Sequence, residues 1–449
     1  MKYAGRLRKT LMGSISHICT ERDKYFVSPD KDFTRPGKFT AQDLFRCILT
    51  MEGTALSHEL LNYFDFNVNA PTTSAFVQAR AKIKPQAFED LFYNFSSLSC
   101  DNKLFKGYRL LACDGSDIHI PTNPEDKASF HSNTNGGKPY NLLHLNALYD
   151  LMTHTYTDAV IQKSFDWNEH SAFVEMTKHH SDDTAPAIFI ADRGYESYNN
   201  MAHITESGNR FLIRLRDSKT SGIISGLDLP DGEYDTSIVF KLVRKQSNEI
   251  KAMMRKDKFL KFVPSTSTFD FLPAKSKKTD PAVIYELPVR LVRFKITNET
   301  YEVIATNLPE NEFSPAELKQ LYAFRWGIET SFRDLKYTVG LLHFHAKKTE
   351  SILQEIWARL IMYNFSELVA SHTTIKKSNR KHLYRINFSN TVHICRNFLL
   401  RRIPPSDVEA LVAANILPIR SGKSHPRVHS VKHAAYFIYT NLYIKSSTY

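Results

Sequence analysis

The chain has 449 residues, more than one compact core sustains, and a formal charge of +12 that points to a polyanionic partner. No apolar run approaches the roughly 20 residues of a membrane span, and the N-terminal MKYAGRLRKT lacks a signal-peptide core, so the expectation is a cytoplasmic, bacterial protein with no membrane partner. Five scattered cysteines (Cys19, Cys47, Cys100, Cys113 and Cys395), with no CxxC pair, exclude a disulfide framework and a structural zinc.

Residues 1–104 read as helical. Thr40 is placed to cap AQDLFRCILTM, SHELLNYF follows, Pro71-Thr72-Thr73-Ser74 opens AFVQARAKI, and PQAFEDLFYNF closes the group. Arg80 and Lys82 on the third of these suit a DNA-binding bundle, although a plain bundle accounts for the pattern equally well. From 105 to 216 the period changes. LLACDGSDIHI, LLHLNALYDL and YTDAVIQ predict three strands, Asn168-Glu169 opens a helix through Lys178, and AIFIADR predicts a fourth strand. YESYNNMAHITESG then reads as a helix and RFLIRL as a strand. Residues 217–310 are mostly strand-like, with clean alternation in Val292–Ile296 and Tyr301–Ala305, and with a cationic cluster from Lys241 to Lys261 able to track a phosphate backbone.

Residues 311–370 carry the densest chemistry. Ser314-Pro315 predicts a helix start, and LYAFRWGIETSFRDLKYTVG holds Tyr322, Arg325, Glu329 and Lys336 at Y-x2-R-x3-E-x6-K spacing. At ~100° per residue, with Tyr322 at zero, Arg325, Glu329 and Lys336 fall near about −60°, −20° and −40°. One tyrosine, two cations and a carboxylate therefore share a narrow wedge of a single helix. Leu321, Phe324, Ile328, Phe332 and Leu335 form an adjoining apolar stripe that predicts burial. An ordinary amphipathic helix pairing Arg325 with Glu329 accounts for these residues taken alone. SILQEIWARLIMYNFSELVA continues as a long helix that should pack on the sheet. Residues 371–449 are basic, with thirteen Lys and Arg after Glu367 against Asp407 and Glu409, and with Pro404-Pro405 and Pro418 as expected breaks.

Two aspartates separate the readings of that helix. Asp114 ends the apolar run Leu110–Cys113, and Asp192 ends Ile188–Ala191, the pattern of buried strands that open into a site. With Glu329 they make three carboxylates on separate elements, enough for two divalent cations. Such hard oxygen ligands favour magnesium or manganese over zinc. Two such ions can activate a water and stabilise the leaving oxygen of a phosphodiester.

On these residues the chain resembles the DDE transposases of the insertion-sequence-4 type, the branch marked by the Tyr-Arg-Glu-Lys signature, and the match covers most of its length. The resemblance implies that Asp114, Asp192 and Glu329 are the catalytic, metal-binding triad for Mg2+, with Mn2+ as a substitute. It implies phosphate-holding roles for Tyr322, Arg325 and Lys336; Arg193, directly after the second aspartate, is a further candidate for the DNA backbone. The strand order fits an α/β fold, a ribonuclease-H-like mixed sheet with flanking helices. The resemblance adds a mostly-β insertion at 217–310, between a helical N-terminal domain and a basic C-terminal region. In that fold the first and fourth strands lie side by side, which would join Asp114 to Asp192. The implied partners are double-stranded DNA, at transposon ends and target, and a second copy in a homodimer. Some relatives keep a tryptophan in the insertion to receive a flipped base. Here Trp167, Trp326 and Trp357 all lie outside it, leaving Phe269, Phe271 and Tyr285 as weaker stacking candidates.

Other residues compete for these roles. Asp117 lies three positions from Asp114 and so faces the other side of a strand. His119 suits a hydrogen bond at a strand end. His343 and His345 would share one face of a strand, whereas the adjacent His179 and His180 would share a face on neither strand nor helix; neither pair has a third ligand at zinc-like spacing. No phosphate loop is visible, which argues against nucleotide hydrolysis. The rivals to a transposase are a metal-dependent nuclease of the same fold and a domesticated DNA-binding protein without catalysis.

Overall fold

The computed structural model describes residues 2–35, 37–99, 103–132, 137–181, 185–218, 220–274, 280–297, 299–375 and 383–419. Its centre is a mixed sheet of ten strands: β1 (Arg109–Ile120), β2 (Phe130–His131), β3 (Tyr140–Asp150), β4 (Thr155–Lys163), β5 (Ala187–Ala191), β6 (Arg210–Leu215), β7 (Tyr234–Val243), β8 (Leu260–Phe262), β9 (Ile284–Lys295) and β10 (Tyr301–Thr306). The order is β2-β3-β1-β5-β6-β10-β9-β7-β8, with β4 paired to β3. β1, β5 and β6 run parallel to one another, and β3 is antiparallel to β1. The runs Leu110–Cys113 and Ala187–Ala191 are buried on both faces, as parallel strands covered by helices on either side require. Along β1 the pleat divides them. Leu110, Ala112 and Ile118 enter one apolar cluster, while Leu111 and Cys113 enter another with helices Glu169–His179 and Tyr198–Glu206.

The strands of residues 217–310 carry this same sheet outward. β10 pairs antiparallel with β6, Val303–Thr306 against Leu215–Leu212, and β9 and β7 follow. Within the cationic cluster, Ser247 caps a short helix, Asn248–Lys256.

The N-terminal helices are Tyr3–Thr20, Ala41–Thr50, Leu56–Tyr63, Thr73–Arg80 and Gln86–Ser99. Thr40 and Asp43 form the reciprocal capping box that starts the second of these, and Thr72 caps the fourth. They pack round helix Thr349–Ser371, whose Ile352, Ile356, Trp357, Leu360 and Ile361 are all buried. A helix apolar on every side must be covered on every side. β4 and helix Phe388–Leu399 complete that cover, and one apolar cluster runs from Leu44 and Phe88 through Leu110 to Ile356. The joint is also ionic. Arg80 lies only 1% exposed, with Nη1 2.7 Å from Glu355 Oε1 and Nε donating to Gln354 Oε1 at 3.1 Å. His345 sits between Glu59, at 3.6 Å, and Glu355, at 3.5 Å, and Arg359 donates to the carbonyls of Met51 and Glu52. Arg80 is therefore a structural residue and not the DNA-facing cation its helix suggested, because its partner lies 275 residues away; Lys82 is exposed.

Beyond Ser371, strands Tyr384–Ile386 and Ile416–Pro418 pair with each other, so Pro418 ends a strand, and helix Val408–Ala414 precedes the second. Arg396 is buried and donates to the Val339 carbonyl, and Arg402, at the surface, pairs with Asp65, so both cations are engaged by the protein itself. Lys376, Lys377, Arg380, Lys381, Arg420, Lys423, Arg427, Lys432 and Lys445, most of the expected basic tail, lie outside the described residues, as does Cys100. Cys19, Cys47, Cys113 and Cys395 are free thiols. Among the described residues no helix is long and apolar enough to cross a membrane.

Candidate active site

The site begins where two parallel strands stop pairing. β1 pairs with β5 only from Arg109 to Cys113, the last pair being Cys113 with Ala191. Asp114 and Asp192 are the next residues on each, so they are neighbours at the point where the two strands part. Asp114 ends the apolar run but not the strand, in keeping with the predicted strand LLACDGSDIHI. β1 continues to Ile120 because β3 pairs with it as far as Asn141, leaving the β5 side open beyond Cys113. Backbone amides orient both acids: Gly115 N–H donates to Asp114 Oδ1 at 2.9 Å, and Gly194 N–H donates to Asp192 Oδ1 at 2.8 Å. The second contact caps the turn Arg193–Tyr195, on which Arg193 is exposed.

The signature segment packs onto β1 beside this opening. Gly327 permits the approach, since a Cβ there would lie 2.9 Å from Leu151 Cδ2. The segment is not the single helix that the spacing predicted. Helix Pro315–Phe324, started by the Ser314–Glu317 capping box, gives way at Arg325 to helix Trp326–Arg333 and then to a π-helical turn, Asp334–Thr338. At Arg325 the backbone tightens, Arg325 N–H bonding to the Tyr322 carbonyl and Ile328 N–H to that of Arg325. At the far end it loosens, Val339 N–H reaching back to the Asp334 carbonyl. The wheel is therefore redistributed. Leu321, Ile328, Phe332 and Leu335 are buried as the stripe predicts, but Phe324 is exposed and Tyr322, expected on the polar wedge, is 5% exposed.

Glu329 is brought to the aspartates through Arg325. The guanidinium donates from Nη2 to Glu329 Oε1 at 2.7 Å, lies 4.0 Å from Asp114 Oδ2, and is 5.7 Å from the centre of the Tyr322 ring. Lys336 reaches β1 farther along, its Nζ donating to the Asp117 carbonyl at 2.9 Å on the strand's open stretch. The electrostatics betray a surplus of negative charge. Burial, and the like charges of Asp192 and Glu329, push the Asp114 carboxyl up to about 6 against the pull of Gly115 N–H and Arg325. Burial lowers the Lys336 ammonium below its ordinary value, with Asp117 and Asp114 opposing. Among the described residues no three acid, histidine or cysteine side chains lie close enough to grip an ion as they stand. The donor set nevertheless suits a hard divalent cation: the three acids offer only oxygen, and Arg325 fills the space between Asp114 and Glu329 as a stand-in positive charge.

The family model for the transposase DDE domain matches residues 105–365. The chain belongs to the DDE transposases. Transposase InsG for insertion sequence element IS4, from Escherichia coli strain K12, is 23% identical over 394 residues, covering 83% of this chain and 80% of that protein, which places the transposase in the IS4 type. A cryo-EM structure of the piggyBac transposase synaptic complex with hairpin DNA aligns at 11% identity and a TM-score of 0.41, over 94% of this chain and 84% of that one.

The remaining candidates of the transposase sort by geometry. Asp117 faces away from Asp114, and its Oδ1 lies 2.9 Å from Nδ1 of the buried His144, whose Nε2 is 3.1 Å from Glu169 Oε1. Gly115 leaves room for that pair, since a Cβ there would fall 2.4 Å from His144 Nε2. His345 belongs to the buried joint rather than to any strand face shared with His343. His179 and His180 do converge, contrary to expectation. Helix Glu169–His179 ends between them, and both approach Asp158 Oδ2, at 2.9 and 3.8 Å. Trp326, which lies outside the insertion, is a residue for which the sequence reading gives no role. It is 54% exposed, with the Arg325 guanidinium 5.5 Å from its ring, and the available signal was its place inside the signature itself. Phe269 and Phe271 pack against each other and against Tyr285 of β9, as a local aromatic cluster.

Proposed function

We propose that this transposase cuts DNA at the ends of an insertion sequence and joins them to target DNA, on a ribonuclease-H-like core in which Asp114, Asp192 and Glu329 are the catalytic carboxylates and metal ligands. The observation that carries the reading is the convergence of three acids from β1, the end of β5 and the signature segment on one under-compensated site. Bound there, a pair of Mg2+ (or Mn2+) ions supplies a lowered pKa for the attacking water and stabilisation of the leaving oxygen. The chain's own groups prepare that chemistry. Gly115 and Gly194 each tie one oxygen of an aspartate, leaving the other to turn toward the opening. Arg325 holds Glu329 in place and, with Tyr322, Arg193 and Lys336, supplies the positive and hydrogen-bonding groups for the adjoining phosphates. Hydrolysis frees a 3′ hydroxyl at the element's end, and that hydroxyl attacks a target phosphodiester in the same pocket, with no covalent link to protein. A homodimer on double-stranded DNA brings two ends together.

The test uses the full-length protein with the DNA flanking its own gene, in magnesium. Glu329→Gln should abolish cleavage while end binding falls little, since one carboxylate oxygen is exchanged for an amide of the same shape. Magnesium-dependent nicking by that variant would remove Glu329 from the triad. Cleavage by the wild type without any joined product would mark a nuclease instead.

A further inference from the structure

Two large aromatic rings stand out of the loop after β4, where apolar side chains are expected to turn inward. Phe165 is 60% exposed and Trp167 is 47% exposed. Neither ring is loose, because each is backed by a fixed histidine. Phe165 stacks on His131 at 4.7 Å and 28°, and His131 stacks in turn on Tyr140 at 4.9 Å and 15°, while Ser164 holds His131 Nε2 at 2.7 Å. Trp167 lies 4.2 Å from the His144 ring, which is clamped between Asp117 and Glu169. The loop itself is pinned: Phe165 N–H bonds to the Ala128 carbonyl, and Asn168 N–H to Gln162 Oε1. The Phe165–His131–Tyr140 rings are near-parallel and Trp167 meets His144 at 56°, and in both groups the outermost ring is the exposed one, on which a further flat ring can stack.

The position says which ring. His144 pairs across the sheet with Asp117, whose carbonyl holds Lys336. Trp167 therefore sits beside Asp117, about 10 Å along β1 from Asp114 at ~3.3 Å per residue and toward the strand's opposite face, while Phe165 lies farther out, against the pairing of His131 with Tyr140. The exposed lysines nearby in sequence, Lys127 and Lys138, are offset by exposed Glu125 and Asp166, so the surface round the rings is balanced in charge. Resting on the DNA reading above, we infer that Phe165 and Trp167 form a stacking platform for unpaired bases of the DNA strand that runs past the carboxylates, a few nucleotides from the scissile phosphate. Exposed aromatic rings hold single strands by their base faces, which tolerates any sequence, and Lys336, held on the Asp117 carbonyl, is the cation on the side toward the carboxylates.

Photocrosslinking tests this directly. The full-length protein is bound to its own gene's flanking DNA carrying 5-iodouracil at one position at a time, with the probed stretch either paired or single-stranded. Crosslinks to the peptide containing Phe165 and Trp167 should form with single-stranded positions and fall about tenfold when the stretch is paired. Substituting Phe165→Ala and Trp167→Ala together should lower single-strand affinity about tenfold, and Phe165→Tyr with Trp167→Phe should restore it. Leu98→Ala, an exposed apolar side chain on a separate helix, serves as the control and should leave affinity unchanged. The platform is overturned if the wild type binds and cuts its ends while no crosslink maps to this loop, or if the crosslinks are indifferent to pairing. It is equally overturned if the double alanine variant dissociates a dimer instead of losing strand affinity, which would make the rings a contact between copies. A wild type that binds no DNA removes the functional reading, and the platform with it.

Discussion

At the joint between the N-terminal helices and helix Thr349–Ser371, the acids Glu59 and Glu355 meet Arg80, Arg359 and His345. At the parting of β1 and β5, Asp114, Asp192 and Glu329 share Arg325. Both places gather carboxylates, buried at the joint and half-buried where the strands part, yet the acidity of Asp114 moves in the opposite direction to that of Glu59 and Glu355. Despite burial, His345 and Thr54 hold Glu59 down at about 2, and Arg80 and His345 hold Glu355 at about 2. Asp114 is pushed up to about 6. Charge compensation makes the difference. The joint is a finished ionic network that locks two halves of the helical body together, whereas the β1–β5 site carries negative charge that its own cations do not neutralise. A protein keeps such an unfinished site when something else brings the missing charge.

The sharpest way to break that contrast is to neutralise one acid in each place. Asp114→Asn should remove cleavage by at least about a thousandfold, roughly 4 kcal/mol of transition-state stabilisation, while the metal-free melting temperature stays level or rises. A fall in melting temperature comparable to a joint mutant would show that Asp114 is a structural acid. Arg80→Ala, in contrast, strands Glu355 in the interior and should cost about 3–5 kcal/mol of stability by denaturant titration. An Arg80→Ala protein as stable as wild type, with weakened DNA binding, would reverse the assignment of Arg80.

How far these roles were legible in the sequence follows from how local each one is. The signature spacing, the apolar runs leading to Asp114 and Asp192, and the caps at Thr40, Thr72 and Ser314 depend on neighbouring residues, and the structure keeps them. What depended on distant partners was hidden. Arg80 reads as a surface cation until Glu355 is placed beside it. The break at Arg325 with the π turn at Lys336 depends on how the segment lies against the sheet. The convergence of His179 and His180 required knowing where their helix ends and where Asp158 sits.

Acid titration sharpens the same comparison by a smaller amount. Glu59 and Glu355 ionise below the ordinary carboxylate value of 4.5, so their stabilisation is complete above that pH and is lost as pH falls toward 2. The melting temperature should decline across that window, by a few degrees for each ~1 kcal/mol withdrawn, and Glu59→Gln should flatten the decline. An unchanged slope in that variant would mean that other acids set the acid limb.

The mildest effect is expected at Lys336, which lies at the margin of the β1–β5 site. Its ammonium does not touch Asp114, Asp192 or Glu329; it is held by the Asp117 carbonyl on the open stretch of β1, three residues beyond Asp114. Under the proposed function, a group placed there would contact phosphates flanking the scissile one, and such contacts would matter most when a second strand must be held for joining. Lys336→Ala should therefore lower initial nicking less than tenfold, under about 1.4 kcal/mol, and lower joining by a further several-fold. Its stability should stay within about 0.5 kcal/mol of wild type, because the freed carbonyl lies on an open strand edge within reach of water. Equal losses in nicking and joining would place Lys336 on the reacting phosphate itself and move the boundary of the under-compensated site outward to include it.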